Sequence, residues 1–110
     1  EGKSQEKVFN VAWAGVRQPD TAGKLPAIGN TVNQATAAVS NSIGTDELST
    51  LWVDPEFDAG VRAFYYIRAL QIPTARHSLY DAIALQVTET DRGAKTIQER
   101  AYSSPIWYTP

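Results

Sequence analysis

The chain has 110 residues, 43% hydrophobic and 20% charged, with ten Lys and Arg against twelve Asp and Glu and a net charge of −2. That is one ordinary globular domain, long enough to bury a core and not disordered in composition. Ten scattered cations argue against a nucleic-acid partner, zero cysteines exclude disulfides and thiol chemistry, and no apolar run approaches the roughly 20 residues of a membrane span.

Lys7 to Ala14, KVFNVAWA, alternates Phe9, Val11 and Trp13 against Asn10 and Ala12, which predicts a half-buried strand. Gly15 to Thr36 is punctuated by Pro19, Gly23, Pro26, Gly29 and Asn30, the marks of a long connection, and such connections are often functional or mobile. AAVSNSI, residues 37–43, alternates weakly before Gly44. LSTLWV, residues 48–53, is apolar on both sides and reads as a central strand.

RAFYYIRALQI, Arg62 to Ile72, carries the strongest strand pattern, with both faces expected to be covered and Pro73 ending it. SLYDAIALQ, Ser78 to Gln86, leaves the period of two: Ser78 can cap a helix, Asp81 follows three later, and Leu79, Ala82 and Ile83 share a face. TIQERAYS from Thr96 returns to alternation, and IWY continues extended after Pro105. The fold class expected is mainly β, an antiparallel β-sandwich-like single domain over residues 1–110 with one short helix.

Chemistry-bearing residues are few. His77 is the only histidine, whereas a histidine zinc site needs two or three and a catalytic triad needs partners brought by the fold, so His77 reads as a surface residue. Asp54, Glu56 and Asp58 have the spacing of the first calcium ligands of an EF-hand loop. Ala59 and Tyr65 then stand where glycine and glutamate belong, which leaves an acidic solvated turn. Ser103 and Ser104 lack a nucleophile-elbow pattern and there is no Gly-rich phosphate cradle. Arg68, among tyrosines, reads as a buried ion-pair or cation–π partner. Trp13, Trp52 and Trp107 read as core anchors; aligned on an open face they would instead stack on sugar rings, the alternative of a carbohydrate-binding module. No residue is assigned a catalytic, cofactor-binding or metal-ligating role.

Three stretches, KVFNVAWAG, LWVDPEFDAGVRAFYYIRALQIPTARHSLYDA and TIQERAYSSPIWYTP, together resemble the C-terminal end of the bacterial domain-of-unknown-function thirty-six-oh-four family, over nearly the whole chain. The resemblance implies a fragment of a protein several times longer. It also implies relatives of the polymerase and histidinol phosphatase (PHP) metal-dependent hydrolases, whose histidine- and carboxylate-rich metal site lies in an upstream barrel. His77 stands where that pattern usually has tryptophan. On this footing the chain is a noncatalytic C-terminal β-domain that completes an exported, periplasmic or secreted, hydrolase-like protein. It has no cofactor of its own, and a divalent metal belongs to the missing upstream domain. The absence of methionine fits an excised piece, with EGKS at residues 1–4 as the turn of a cut hairpin. The expected partners are then the upstream domain, or a second copy pairing through strand 7–14.

Overall fold

The protein is described from a computed structural model over residues 3–87 and 93–110, so Glu1 and Gly2 of the expected EGKS turn lie outside the described residues. The elements are β1 (Ala63–Tyr65), β2 (Arg68–Leu70), β3 (Thr74–Ala75), α1 (His77–Ala84), β4 (Thr96–Ile97), β5 (Arg100–Tyr102) and β6 (Ile106–Tyr108). β1 pairs with β6, β2 with β5 and β3 with β4, all antiparallel. The expected class is what the structure has: mainly β, antiparallel, with a single short helix.

The three pairs are successive parts of one two-stranded ribbon whose limbs are residues 63–75 and 96–108. Phe64 faces Trp107, Ala69 faces Ala101, and Thr74 faces Ile97. The register slips by one residue between the first pair and the second, and slips back before the third. In each gap the longer limb contains a proline, Pro105 in the first and Pro73 in the second. Proline has no N–H to give to a ladder, so pairing breaks there and the surplus residue bulges. Ser103 closes the first gap: its N–H donates to the Ile67 carbonyl at 2.9 Å while its hydroxyl accepts the Ile67 N–H at 2.8 Å. The single strand expected over Arg62–Ile72 is therefore two short strands joined across this bulge.

Helix α1 starts at His77, one residue before the expected start, and Arg76 holds the cap position without a side-chain hydrogen bond. The Arg76 N–H is engaged by the Lys95 carbonyl at 2.9 Å, so the ribbon's last backbone bond fixes where the helix begins. Ser78 consequently falls inside the first turn, and its hydroxyl is buried without a partner. Leu79 and Ala82 face inward, and they line one cleft with Gln34 and Ala35 of the turn that contains Ala37. Ala37, Leu79 and Ala82 are the buried hydrophobic residues described.

Residues 7–14 and 48–53, each expected as a strand, and the weakly alternating 37–43 form no ladder among the described residues. Alternation signals which faces favour burial; a strand also needs a partner's N–H and C=O groups, and none docks on the ribbon's edges. The 48–53 segment, expected to be central, is open: Leu51 is 93% exposed and Val53 is also exposed. The long connection 15–36 is held by named bonds. Trp13 Nε1 donates to the Arg17 carbonyl at 2.7 Å, Arg17 reaches the Pro26 carbonyl at 2.8 Å, and Asn10 reaches the Gly23 carbonyl at 2.7 Å.

The radius of gyration is 18.8 Å and the extents are 60 × 35 × 25 Å. A compact chain of this length has a radius near 13 Å. The accessible surface is 9213 Å², where a compact protein of 12.0 kDa exposes about 6,000 Å². Apolar residues are therefore abundant but are not enclosed by this chain.

Candidate interaction site

At its β1–β6 end the ribbon carries aromatic rings on both faces, in different surroundings. On one, the N-terminal half of the chain clasps β1 and β6. Tyr65 donates its hydroxyl to Asp54 Oδ2 at 2.8 Å, and Tyr108 donates to the Ala59 carbonyl at 3.0 Å. Phe57 meets Tyr108 edge-on with ring centroids 4.9 Å apart, and Trp52 lies between Phe9 at 5.0 Å and Tyr65 at 6.3 Å. Lys7 pairs with Glu56 and sits over the Phe9 ring. The hydrogen bond to Asp54 holds the Tyr65 phenol above its ordinary pKa of 10.0, because a proton shared with a carboxylate is harder to remove.

On the other face, alternate residues carry a row of open rings. Trp107 and Phe64 are cross-strand partners with centroids 5.1 Å apart, Phe64 and Tyr66 are nearly parallel at 6.3 Å, and Tyr66 meets Tyr102 at 6.2 Å. Their exposure runs from 38% at Tyr66 to 71% at Trp107. The period of two continues this face through Arg68, opposite Tyr102, and through Leu70, opposite Arg100. Both arginines are exposed, and neither forms an ion pair among the described residues. Glu6 is the acidic group here; it accepts the Tyr66 hydroxyl at 3.0 Å, which holds that phenol above its ordinary pKa.

Of the residues singled out in the sequence, His77 opens helix α1 with its side chain 90% exposed and Nε2 3.6 Å from Asp81 Oδ1. The acidic turn uses its carboxylates locally. Asp54 Oδ1 accepts the Glu56 N–H at 2.9 Å, Asp58 Oδ1 accepts the Gly60 N–H at 2.8 Å, and Glu56 is held by Lys7. Among the described residues no three His, Cys, Asp or Glu side chains gather as a metal site. Ser103 is the bulge clip, and its hydroxyl donates onward to the Ser104 carbonyl at 3.0 Å.

Two expectations are corrected. Arg68 is exposed rather than buried, because it lies on the open face of the ribbon. Trp107 is not a core anchor: its strand is docked through β1, but its ring is 71% exposed on the open face. Trp13 and Trp52 lie elsewhere, with Trp52 on the clasped side, so Trp107 shares its row with Phe64, Tyr66 and Tyr102 rather than with the other tryptophans. That row was implicit in the two-residue spacing of Phe64 and Tyr66. Its openness was not, because alternation marks faces without saying which is covered.

Comparison with known families matches residues 1–110 to the family described as Protein of unknown function (DUF3604), and the chain belongs to that family. No curated protein and no solved structure matches it.

Proposed function

From that family membership as premise, we propose that this chain is a noncatalytic C-terminal β-domain that packs against, and completes, a larger hydrolase-like protein. The observation that carries the reading is the excess of open apolar surface. A chain with Leu51, Val53 and Val16 exposed, whose described core is Ala37, Leu79 and Ala82, gains by burying those open groups against further protein, at roughly 25 cal/mol per Å² of apolar area. The parent's PHP-like character, its upstream divalent metal and its export rest on the family resemblance, and the residues described contribute no ligand set to such a centre. In this role the chain holds the parent's fold rather than touching substrate.

The segment 48–53 is the surface assigned to the parent, and Leu51→Asp with Val53→Asp tests it. In the 110-residue chain both side chains are in water, so the double substitution leaves thermal unfolding nearly unchanged. In the longer polypeptide it lowers the melting temperature and weakens the hold on the C-terminal part against protease. Equal and small effects in both would contradict the reading. Hydrolytic activity, or stoichiometric manganese or zinc retained by the isolated chain after dialysis, would contradict its noncatalytic part.

The sugar-binding alternative draws on one observation, the open row Trp107, Phe64, Tyr66 and Tyr102, since exposed rings stack on sugar faces. Retention on immobilised polysaccharide, lost in Trp107→Ala, would favour it.

A further inference from the structure

We propose that the open face of the ribbon is a two-fold interface with a second copy of this chain. The face is polar along its length. One end carries Trp107 and Phe64, the middle carries Tyr66 with the Glu6 carboxylate on its hydroxyl, and the other end carries Arg68 beside Tyr102, then Leu70 and Arg100. Phe64 and Arg68 stand two residues either side of Tyr66 on the same limb, so their distances from it are alike.

A two-fold axis at Tyr66, running across the limbs, therefore lays Arg68 of one copy over Phe64 of the other, within a side chain's reach of the neighbouring Trp107, twice. Guanidinium groups stack on aromatic faces, preferably tryptophan, and isologous interfaces need this kind of self-complementary patch. Everything both halves of the contact require is present in one chain, and both arginines lack an ion-pair partner among the described residues.

The area suits a modest dimer. With exposures of 38 to 71% and full areas of about 200 Å² per aromatic residue, the four rings offer roughly 440 Å² per copy. With Leu70 and the arginine stems, two copies reach on the order of 1,200 Å², the lower bound for specific interfaces. Tryptophan, tyrosine and arginine are also the residue types that dominate measured interface energies.

The test is sedimentation of the 110-residue chain from micromolar to hundreds of micromolar. A monomer–dimer equilibrium is expected, and Trp107→Ala and Arg68→Ala are each expected to weaken it by about thirty-fold. Both positions are exposed, so circular dichroism should show both variants folded.

Mixing the two variants gives the sharper readout. Each homodimer has two damaged contacts, while the heterodimer keeps one intact Arg68–Trp107 contact and concentrates the damage in the other. Heterodimer in excess of the statistical half supports the two-fold pairing. A chain that stays monomeric throughout, a dimer indifferent to both substitutions, or a purely statistical mixture would overturn it. Binding of an acidic polysaccharide by a monomer, lost in Trp107→Ala, would assign the face to sugar instead. None of these outcomes bears on whether the 48–53 segment packs on the parent.

Discussion

At the β1–β6 end both faces of the ribbon carry aromatic rings, and they differ in what surrounds them. Tyr65 and Tyr108 are half-buried, with each hydroxyl held by an acceptor from the 54–60 turn. Phe64, one position away, and Trp107, one position away on the other limb, lie open to water. Aromatic residues alone do not make a core. What separates the faces is that one receives a layer of rings and acceptors from residues 52–59, whereas on the other, among the described residues, Glu6 reaches Tyr66 and the rings stay open. A lone two-stranded ribbon is marginal in water, so the clasped face is what holds it, and the open face is available for another molecule.

The largest expected effect lies where the chain does enclose itself. Leu79 is 2% exposed in the small core beneath helix α1, and Leu79→Ala is expected to cost about 2 to 5 kcal/mol in urea unfolding. Leu51→Ala, at a far more exposed leucine, should stay within about 0.5 kcal/mol. Similar values for the two would erase the distinction between enclosed and open regions.

Gly44→Ala comes next. A Cβ there would lie 2.8 Å from Ile72 Cγ2 and 2.5 Å from Asn41 Oδ1, so this close approach to the ribbon is expected to cost about 1 to 3 kcal/mol. A neutral result would place the 41–44 segment away from Ile72.

A smaller effect sharpens the contrast through pH. The Tyr65 phenol is raised by its hydrogen bond to Asp54. Above about pH 10 the unfolded phenol loses its proton before the folded one does. The stabilisation is thus complete below pH 10 and drains away as pH rises through the folded value. Alkaline absorbance titration should show Tyr65 and Tyr66 titrating late, and Asp54→Asn should return the Tyr65 phenol alone toward the ordinary range, with an earlier onset of alkaline unfolding. An unchanged titration curve would break the proposed clasp.

On the open face, Trp107→Ala in the dilute chain is expected to cost about 1 kcal/mol or less, since the ring's described aromatic contact is Phe64 alone. A loss of several kcal/mol would mean that the open face is covered after all.

Part of this was legible in the residues. Ser78 to Gln86 announced the helix because Leu79, Ala82 and Ile83 repeat at helical spacing, and its start moved only because the Arg76 to Lys95 backbone bond took precedence over a side-chain cap. Pro73 and Pro105 marked where pairing must fail. The mainly β class followed from the many short alternating stretches.

Pairing itself was not legible. Phe9, Val11 and Trp13 alternate as well as any strand here, yet residues 7–14 join no ladder, because pairing depends on a partner that the pattern does not encode. The open face was hidden for the same reason. Phe64 and Tyr65 both look like core residues, and only the placement of Asp54, Ala59 and Phe57 decides which of them is covered. Arg68 and Trp107 were misplaced by that one ambiguity.

Small-angle scattering on the monomer fraction, separated by size exclusion, measures directly whether this chain encloses its own apolar surface. A radius of gyration near the 18.8 Å of the structure and a longest dimension near 60 Å are expected. A value close to the 13 Å of a compact chain of this length would contradict this expectation, because the ribbon's open face would then be folded against the rest of the molecule.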